Sequence, residues 1–479
     1  MPDAVAILHC HSVNTFAHPT PVPGSSPGEI AALKRRVWHI AIPAIGENVL
    51  HTSLMMVDTF MIGRYGPVAL AAASISGVIV WRAQMTFASL DRGTMAMVAR
   101  AHGEKDPEKA SLAVAQAILI GLVIGIFVAI AGVMLAPQLL YWMKAEPDVI
   151  RAGTTYLQII SVATLPRVIF AVAAAALRAT GDTRYPMWVS LYMNIVNVVF
   201  NLPLIFGIPA IAAIGFPGWE GLGLTGSGIA TAISILFAAT MICWKAFSGK
   251  GAFHLRLRHF RIHMATIRTI VRVSVPSFIE EALLSVGFLI FFRFIAILGT
   301  SALAAHSIAT RIEALSFMAG LGFTVAAAAL VGQSLGQKNV DLARHAFKIT
   351  TKYCVALMSV IAIALIYFAE PIVAAFAPGQ PEIVAVAAIL LVIAAIEQPL
   401  LGIGMTIGGG LRGAGDTLTP MYSSIICGIG VRVGAAYWFA FPMGWGIYGI
   451  YVGTMVDWLV RSMFLYWFFK LERWTRIKL

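Results

Sequence analysis

Residues 177–186 read Leu177-Arg178-Ala179-Thr180-Gly181-Asp182-Thr183-Arg184-Tyr185-Pro186, and residues 411–420 read Leu411-Arg412-Gly413-Ala414-Gly415-Asp416-Thr417-Leu418-Thr419-Pro420. Leu, Arg, Gly, Asp, Thr and Pro stand at the same offsets in both. Upstream, Pro43-x-x-x-Glu47 recurs as Pro276-x-x-x-Glu280. Gly66 with Ala69-Leu70-Ala71-Ala72 recurs as Gly299 with Ala302-Leu303-Ala304-Ala305, and Gly103 recurs as Gly336. The upstream motifs are displaced by 233 residues (276 against 43) and the turn by 234 (411 against 177). Two copies of a whole half that differ by one inserted residue are a duplication.

What is duplicated is a membrane bundle. Of 479 residues, 59% are apolar types and 12% are charged, and the mean hydropathy is +0.84. A soluble domain is typically about a quarter charged, so an ordinary soluble enzyme is excluded. Twelve apolar stretches follow one another, at about 37–63, 67–99, 109–142, 149–177, 184–207, 224–247, 266–298, 300–331, 341–375, 382–411, 418–441 and 447–469. Each has the roughly 20 residues needed to cross about 30 Å of hydrocarbon. They are continuously apolar rather than alternating, which selects helices over a membrane barrel. Six spans per copy is an even number, so both halves enter the membrane in the same sense, as a parallel repeat with a cleft between the lobes.

The net charge of +12 lies beside the spans, at Lys34, Arg35 and Arg36, in the linker from Lys245 to Arg272, and after Lys470. Short basic flanks of this kind are a positive-inside signal and not a nucleic-acid face, so both termini are expected in the cytoplasm. The chain divides into an unstructured tail at 1–32, a first lobe at 33–250, a linker at 251–265 and a second lobe at 266–479. The tail carries His9, His11 and His18 between prolines, and no secretory signal is read there. Cys10, Cys243, Cys354 and Cys427 form no close-spaced pair, so neither a zinc site nor a disulfide framework is expected. No other metal site or cofactor is expected either.

Ionisable groups within such spans are expensive and need a reason. In the first span Glu47, His51, Leu54 and Asp58 recur at steps of 4, 3 and 4 on one helical face, a stripe able to bind and relay a cation. The position matching Asp58 in the second copy is Phe291, so this acid is not duplicated. Glu280 repeats Glu47, each four residues after a proline. Its neighbour Glu281 calls for an arginine partner, and Arg82 and Arg293 are candidates to pair with such acids. Glu397, followed by Gln398 and Pro399, falls near the middle of the tenth span, facing the cleft or a polar pocket. Asp182 and Asp416 follow glycine in turns, where Asp caps the next helix; with Arg178, Gly181, Arg412 and Gly415 they are read as structural.

On these motifs the chain resembles the multidrug and toxic compound extrusion (MATE) family over residues 33–475. Supporting marks are Val57-Asp58-Thr59, the Val98-Ala99-Arg100-x-x-Gly103 and Val331-Gly332-Gln333-x-x-Gly336 segments, and Asp457-Trp458-x-x-Arg461. The resemblance implies a V-shaped, all-α, twelve-helix exporter of organic, mostly cationic compounds, driven by proton or sodium antiport. It makes Asp58 the coupling acid. Asn197 and Asn201 stand where one branch of the family has an Asn followed by an Asp, with Asn194 on a nearby face. Glu280, Glu397, Gln398 and Asn194 are then candidates along the substrate cleft.

Closed off from water, Asp58 would hold a proton; opened to water or offered a cationic molecule, it would release it. His51 favours the proton, although sodium could bind if enough oxygens surround Asp58. The partners expected are a small-molecule substrate and the bilayer, for a monomer in the cell membrane. Two other readings stay open. One is a flippase for lipid-linked sugars, whose cavity would be lined by Arg and Lys. The other is an integral-membrane enzyme, for which no H-E-x-x-H or G-x-S-x-G signature is found.

Overall fold

A computed structural model describes residues 26–208, 218–477 and 479; His9, Cys10, His11 and His18 lie outside the described residues. The first lobe comprises α1 (Pro27–Tyr65), α2 (Pro67–Gly103), α3 (Pro107–Trp142), α4 (Pro147–Val162), α5 (Thr164–Thr180), α6 (Arg184–Phe206) and α7 (Leu224–Phe247). The second comprises α8 (Met264–Ile297), α9 (Thr300–Gly336), α10 (Val340–Tyr367), α11 (Ala369–Phe376), α12 (Pro381–Ala414), α13 (Leu418–Ile425), α14 (Arg432–Ala440) and α15 (Gly446–Lys470).

Among the described residues nine helices are long and apolar enough to span a bilayer, and the bent pair α4–α5, turned by 42°, makes a tenth. α8 and α15, outside that set, take the places of α1 and α7 in the second copy.

Prolines account for the interruptions. Pro166 has no amide hydrogen and clashes with the carbonyl four residues earlier, and α4 stops there, at Val162. Pro371 has the same relation to Tyr367, where α10 stops. The spans read as 149–177 and 341–375 are therefore each two helices. Between α13 and α14 the chain widens into a π-turn at Ile426–Val431, which includes Gly428 and Gly430.

One boundary differs from the sequence reading. α1 begins at Pro27, inside the stretch 1–32 expected to lack structure. Ser26 accepts from the Glu29 amide at 3.2 Å and Glu29 accepts from the Ser26 amide at 2.8 Å, a reciprocal cap. The linker packs on the first lobe. Phe253 and Leu255 are buried, and the Gln116 side chain donates to the carbonyls of His259 and Arg261 at 2.7 and 2.8 Å.

The lobes converge at one end only. One apolar core joins Val98, Ala99 and Leu177 of the first lobe to Leu330, Val331 and Leu411 of the second. The other apolar clusters are each confined to one lobe. The duplicated glycines lie at this convergence. A Cβ on Gly103 would stand 2.1 Å from the Gln333 carbonyl oxygen, and one on Gly336 would stand 2.1 Å from that of Arg100. Gln333 also accepts from the Arg36 guanidinium and donates to the Ala179 carbonyl at 2.6 Å. Arg100, its counterpart in the first copy, donates to the Ile477 carbonyl at 2.6 Å.

Candidate functional site

The duplicated turns serve as anchors. Gly181 and Gly415 end α5 and α12 in the left-handed region, at φ 95° and 92°, where glycine carries no Cβ penalty. Asp182 and Asp416 accept from the backbone amides of Tyr185 and Thr419 at 3.2 and 3.0 Å. Pro43 leaves the His39 carbonyl without its helical donor, and the buried Thr183 hydroxyl supplies one at 3.3 Å. The arginine of each turn reaches back to the glutamate of its own lobe. Arg178 binds Glu47 at 2.6 Å, and Arg412 binds Glu280 at 2.6 Å.

This separates residues that shared one stripe in the sequence. Glu47 is held by Arg178 beside the central cavity, away from Asp58. His51 is exposed and makes no side-chain hydrogen bond among the described residues. Asp58 is half-buried, and its Oδ1 accepts from the Asn201 amide at 2.6 Å. That amide also donates to Asn197 Oδ1 at 2.8 Å, and Asn197 donates to the Thr231 hydroxyl at 3.3 Å. Asn197 and Asn201 are both 0% exposed. Thus α1, α6 and α7 together build a polar pocket around one carboxylate. Asn194 donates instead to the Leu50 carbonyl at 2.7 Å, bracing α6 on α1. Tyr156 on α4 and Arg167 on α5 lie within electrostatic range of Asp58. Both escaped sequence reasoning, and the signal available was a lone arginine inside an apolar span.

A second polar pocket lies inside the other lobe. Glu397, 4% exposed, accepts from the Thr454 hydroxyl at 2.9 Å. Glu313 of α9 lies within hydrogen-bonding reach of Glu397 and Gln398, and Gln398 accepts from Ser316 at 2.6 Å. Close by, Asp457 is held between Arg432 at 2.9 Å and Arg461 at 3.0 Å. Glu313 stands on α9 and its partners on α12, so no single span shows them together.

Between the lobes is a cavity of about 660 Å³. Of the four residues expected along the substrate cleft, only Glu280 lines it; Glu397 and Gln398 are buried within their lobe and Asn194 faces α1. The carboxylates on its wall are Glu47, Asp91, Glu280 and Glu281, and the arginines are Arg92, Arg178, Arg412 and Arg461. Glu281 finds the arginine it calls for in Arg92, at 3.1 Å. Arg82 pairs with no acid among the described residues: it bonds the Ser285 hydroxyl across the lobe boundary and stacks on Trp81. Arg293 forms no ion pair among the described residues. None of their groups of His, Cys, Asp and Glu is arranged to hold a metal ion.

Two parallel lobes around a central cavity, with carboxylates withdrawn from full exposure inside each, define a membrane transporter. The MatE family model matches residues 43–202 and again 276–438, one match in each copy of the repeat, and the chain belongs to this family of multidrug efflux transporters. It is 27% identical over 448 residues to the probable multidrug resistance protein NorM of Thermotoga maritima, covering 94% of both chains. It is 30% identical to the multidrug resistance protein NorM of Burkholderia vietnamiensis over 449 residues, 90% of this chain and 93% of the relative. The fold superimposes on a variant of the Vibrio cholerae MATE transporter VcmN with a TM-score of 0.84, at 19% identity and over 94% and 99% of the two chains. It also matches an outward-facing multidrug resistance MATE transporter with a TM-score of 0.83, at 21% identity and over 95% and 100%.

Proposed function

We propose that the protein is a cation-coupled antiporter that exports organic, often cationic, molecules across the cell membrane, with both termini in the cytoplasm. On this reading the converging end is cytoplasmic, and the conformation described faces outward. The observation that carries the proposal is Asp58, a half-buried carboxylate with no ion pair among the described residues, bonded to an amide on α6. A charge so placed is expensive when sealed from water, and a proton or a sodium ion neutralises it. A cationic substrate competes for the same negative charge, and mutually exclusive occupation makes exchange obligatory.

The arginines on the cavity wall bear on the flippase alternative. Each is answered by a carboxylate, Arg178 by Glu47, Arg412 by Glu280, Arg92 by Glu281 and Arg461 by Asp457. A wall balanced in this way favours organic molecules over the pyrophosphate of a lipid-linked sugar. The test is efflux of a fluorescent cation from proteoliposomes under imposed pH and sodium gradients. We expect one gradient to drive wild-type efflux and Asp58→Asn to lose at least about tenfold of it, a loss of roughly 1.4 kcal/mol. Efflux driven by neither gradient overturns antiport, and undiminished efflux by the variant removes Asp58 from the role.

A further inference from the structure

The ion pairs of the central cavity leave one acid over. Its Glu47, Glu280 and Glu281 are engaged by Arg178, Arg412 and Arg92, and Arg461 by Asp457. Asp91 on α2 lines the same space and, among the described residues, forms no ion pair and keeps Oδ1 buried without a hydrogen-bond partner. The charged groups that act on it are Arg178, Arg92 and Glu47, all committed to one another or to Glu281. A buried carboxylate oxygen without a donor is costly, and native structures seldom leave one without a reason.

We propose that Asp91 anchors the positive charge of the transported molecule within the cavity. The claim rests on the reading of the protein as an exporter of organic cations, and adds where the cation is held. The about 660 Å³ of space falls in the range of small-molecule sites, roughly 300–1,000 Å³. Trp81, Met85, Met95, Phe317, Met405 and Trp458 supply an apolar wall of the deformable kind that accepts varied shapes. One carboxylate that no arginine pairs with, set in a greasy wall, selects for charge and not for outline. Asp91 is also distinct from Asp58: its helix is α2, its space lies between the lobes, and the pocket of Asp58 is inside the first lobe.

The test is equilibrium binding of ethidium, an aromatic monocation, to the purified full chain with no ion gradient. Losing a charge-assisted contact of this kind weakens binding about tenfold to a hundredfold. Asp91→Asn is expected to show that loss, and Asp91→Glu, which keeps the charge, to stay within about threefold of wild type. Asparagine keeps the size and polarity of the residue, so a merely structural role would not separate the two variants by charge.

A second measurement needs no variant. Carbodiimide labelling of Asp91 in the wild type, read by mass spectrometry, should slow about tenfold when ethidium is bound. Wild-type protein that does not bind ethidium, Asp91→Asn binding at wild-type strength, or labelling that ethidium leaves unchanged each overturns the anchor. Because no gradient is involved, a protein that exchanges cations but leaves Asp91 unprotected loses the anchor alone. One that protects Asp91 but responds to neither gradient loses the coupling reading instead.

Discussion

Gly336 of the second lobe lies against Gly103 of the first: a Cβ built on Gly336 would stand 2.9 Å from the Gly103 Cα and 2.1 Å from the Arg100 carbonyl oxygen. The two glycines occupy equivalent places in the repeat, so the motif that reveals the duplication is also where its copies meet.

A side chain at this crossing should hold the converging end apart. Overpacking of a tight contact costs about 1–3 kcal/mol, enough to change the population of the closed end by roughly tenfold. Ala179, buried beneath it, reports on this: labelling of an Ala179→Cys protein by a maleimide should rise about tenfold when Gly336→Val is added. An unchanged rate would remove the crossing as a seal.

The two equivalent ion pairs should differ in worth. Glu280 is 3% exposed, and Glu47 13%. Removing one partner of a buried pair strands the other, at about 3–5 kcal/mol. Glu280→Ala should therefore lower the melting temperature of the purified protein more than Glu47→Ala. Equal shifts would show that burial does not set the cost.

Asn201 should matter to exchange more than Asn194 does. The first donates to Asp58, the second only to the Leu50 carbonyl. With both variants folded, Asn201→Leu is expected to cut gradient-driven efflux about tenfold and Asn194→Leu by less than threefold, on the scale of a bond to a charged group against a neutral one. The reverse order in the liposome assay would relocate the coupling pocket.

Outside the membrane, the linker should loosen in acid. Hydrogen bonding from His259, with Arg258 beside it, holds the exposed Glu108 carboxyl below its ordinary value of 4.5. A carboxylate lowered on folding contributes stability that is complete above 4.5 and is lost as the pH falls through the lowered value. Cleavage within 250–263 by an acid-active protease, taken relative to its cleavage of the denatured chain at the same pH, should accelerate below pH 4.5 in wild type, and Glu108→Gln should show the faster cleavage already at about pH 5.5, where the wild-type carboxylate is still ionised. Flat cleavage across that range would detach Glu108 from the linker.

The fold was legible because membrane spans and a repeat are properties of the string itself: hydropathy sets the first and register the second. The site was legible where one helix carried the signal, as with Asp58. It was opaque where two distant segments complete one device. Pro43-x-x-x-Glu47 and the Arg178 turn are both visible as repeated motifs. That the turn's arginine grips the glutamate is a tertiary fact, and without it Glu47 reads as a companion of Asp58. Glu313 is opaque for the same reason: it stands on α9 and its partners on α12. Asp91 has no motif at all, and its isolation shows only after the neighbouring charges have found one another.

The crossing of Gly103 and Gly336 is made of main-chain atoms, which are common to every amino acid, whereas the chamber is walled by side chains. Mutations that redraw the chamber therefore leave the seal's chemistry untouched. The lining of the chamber can change from one relative to the next with no change at the crossing.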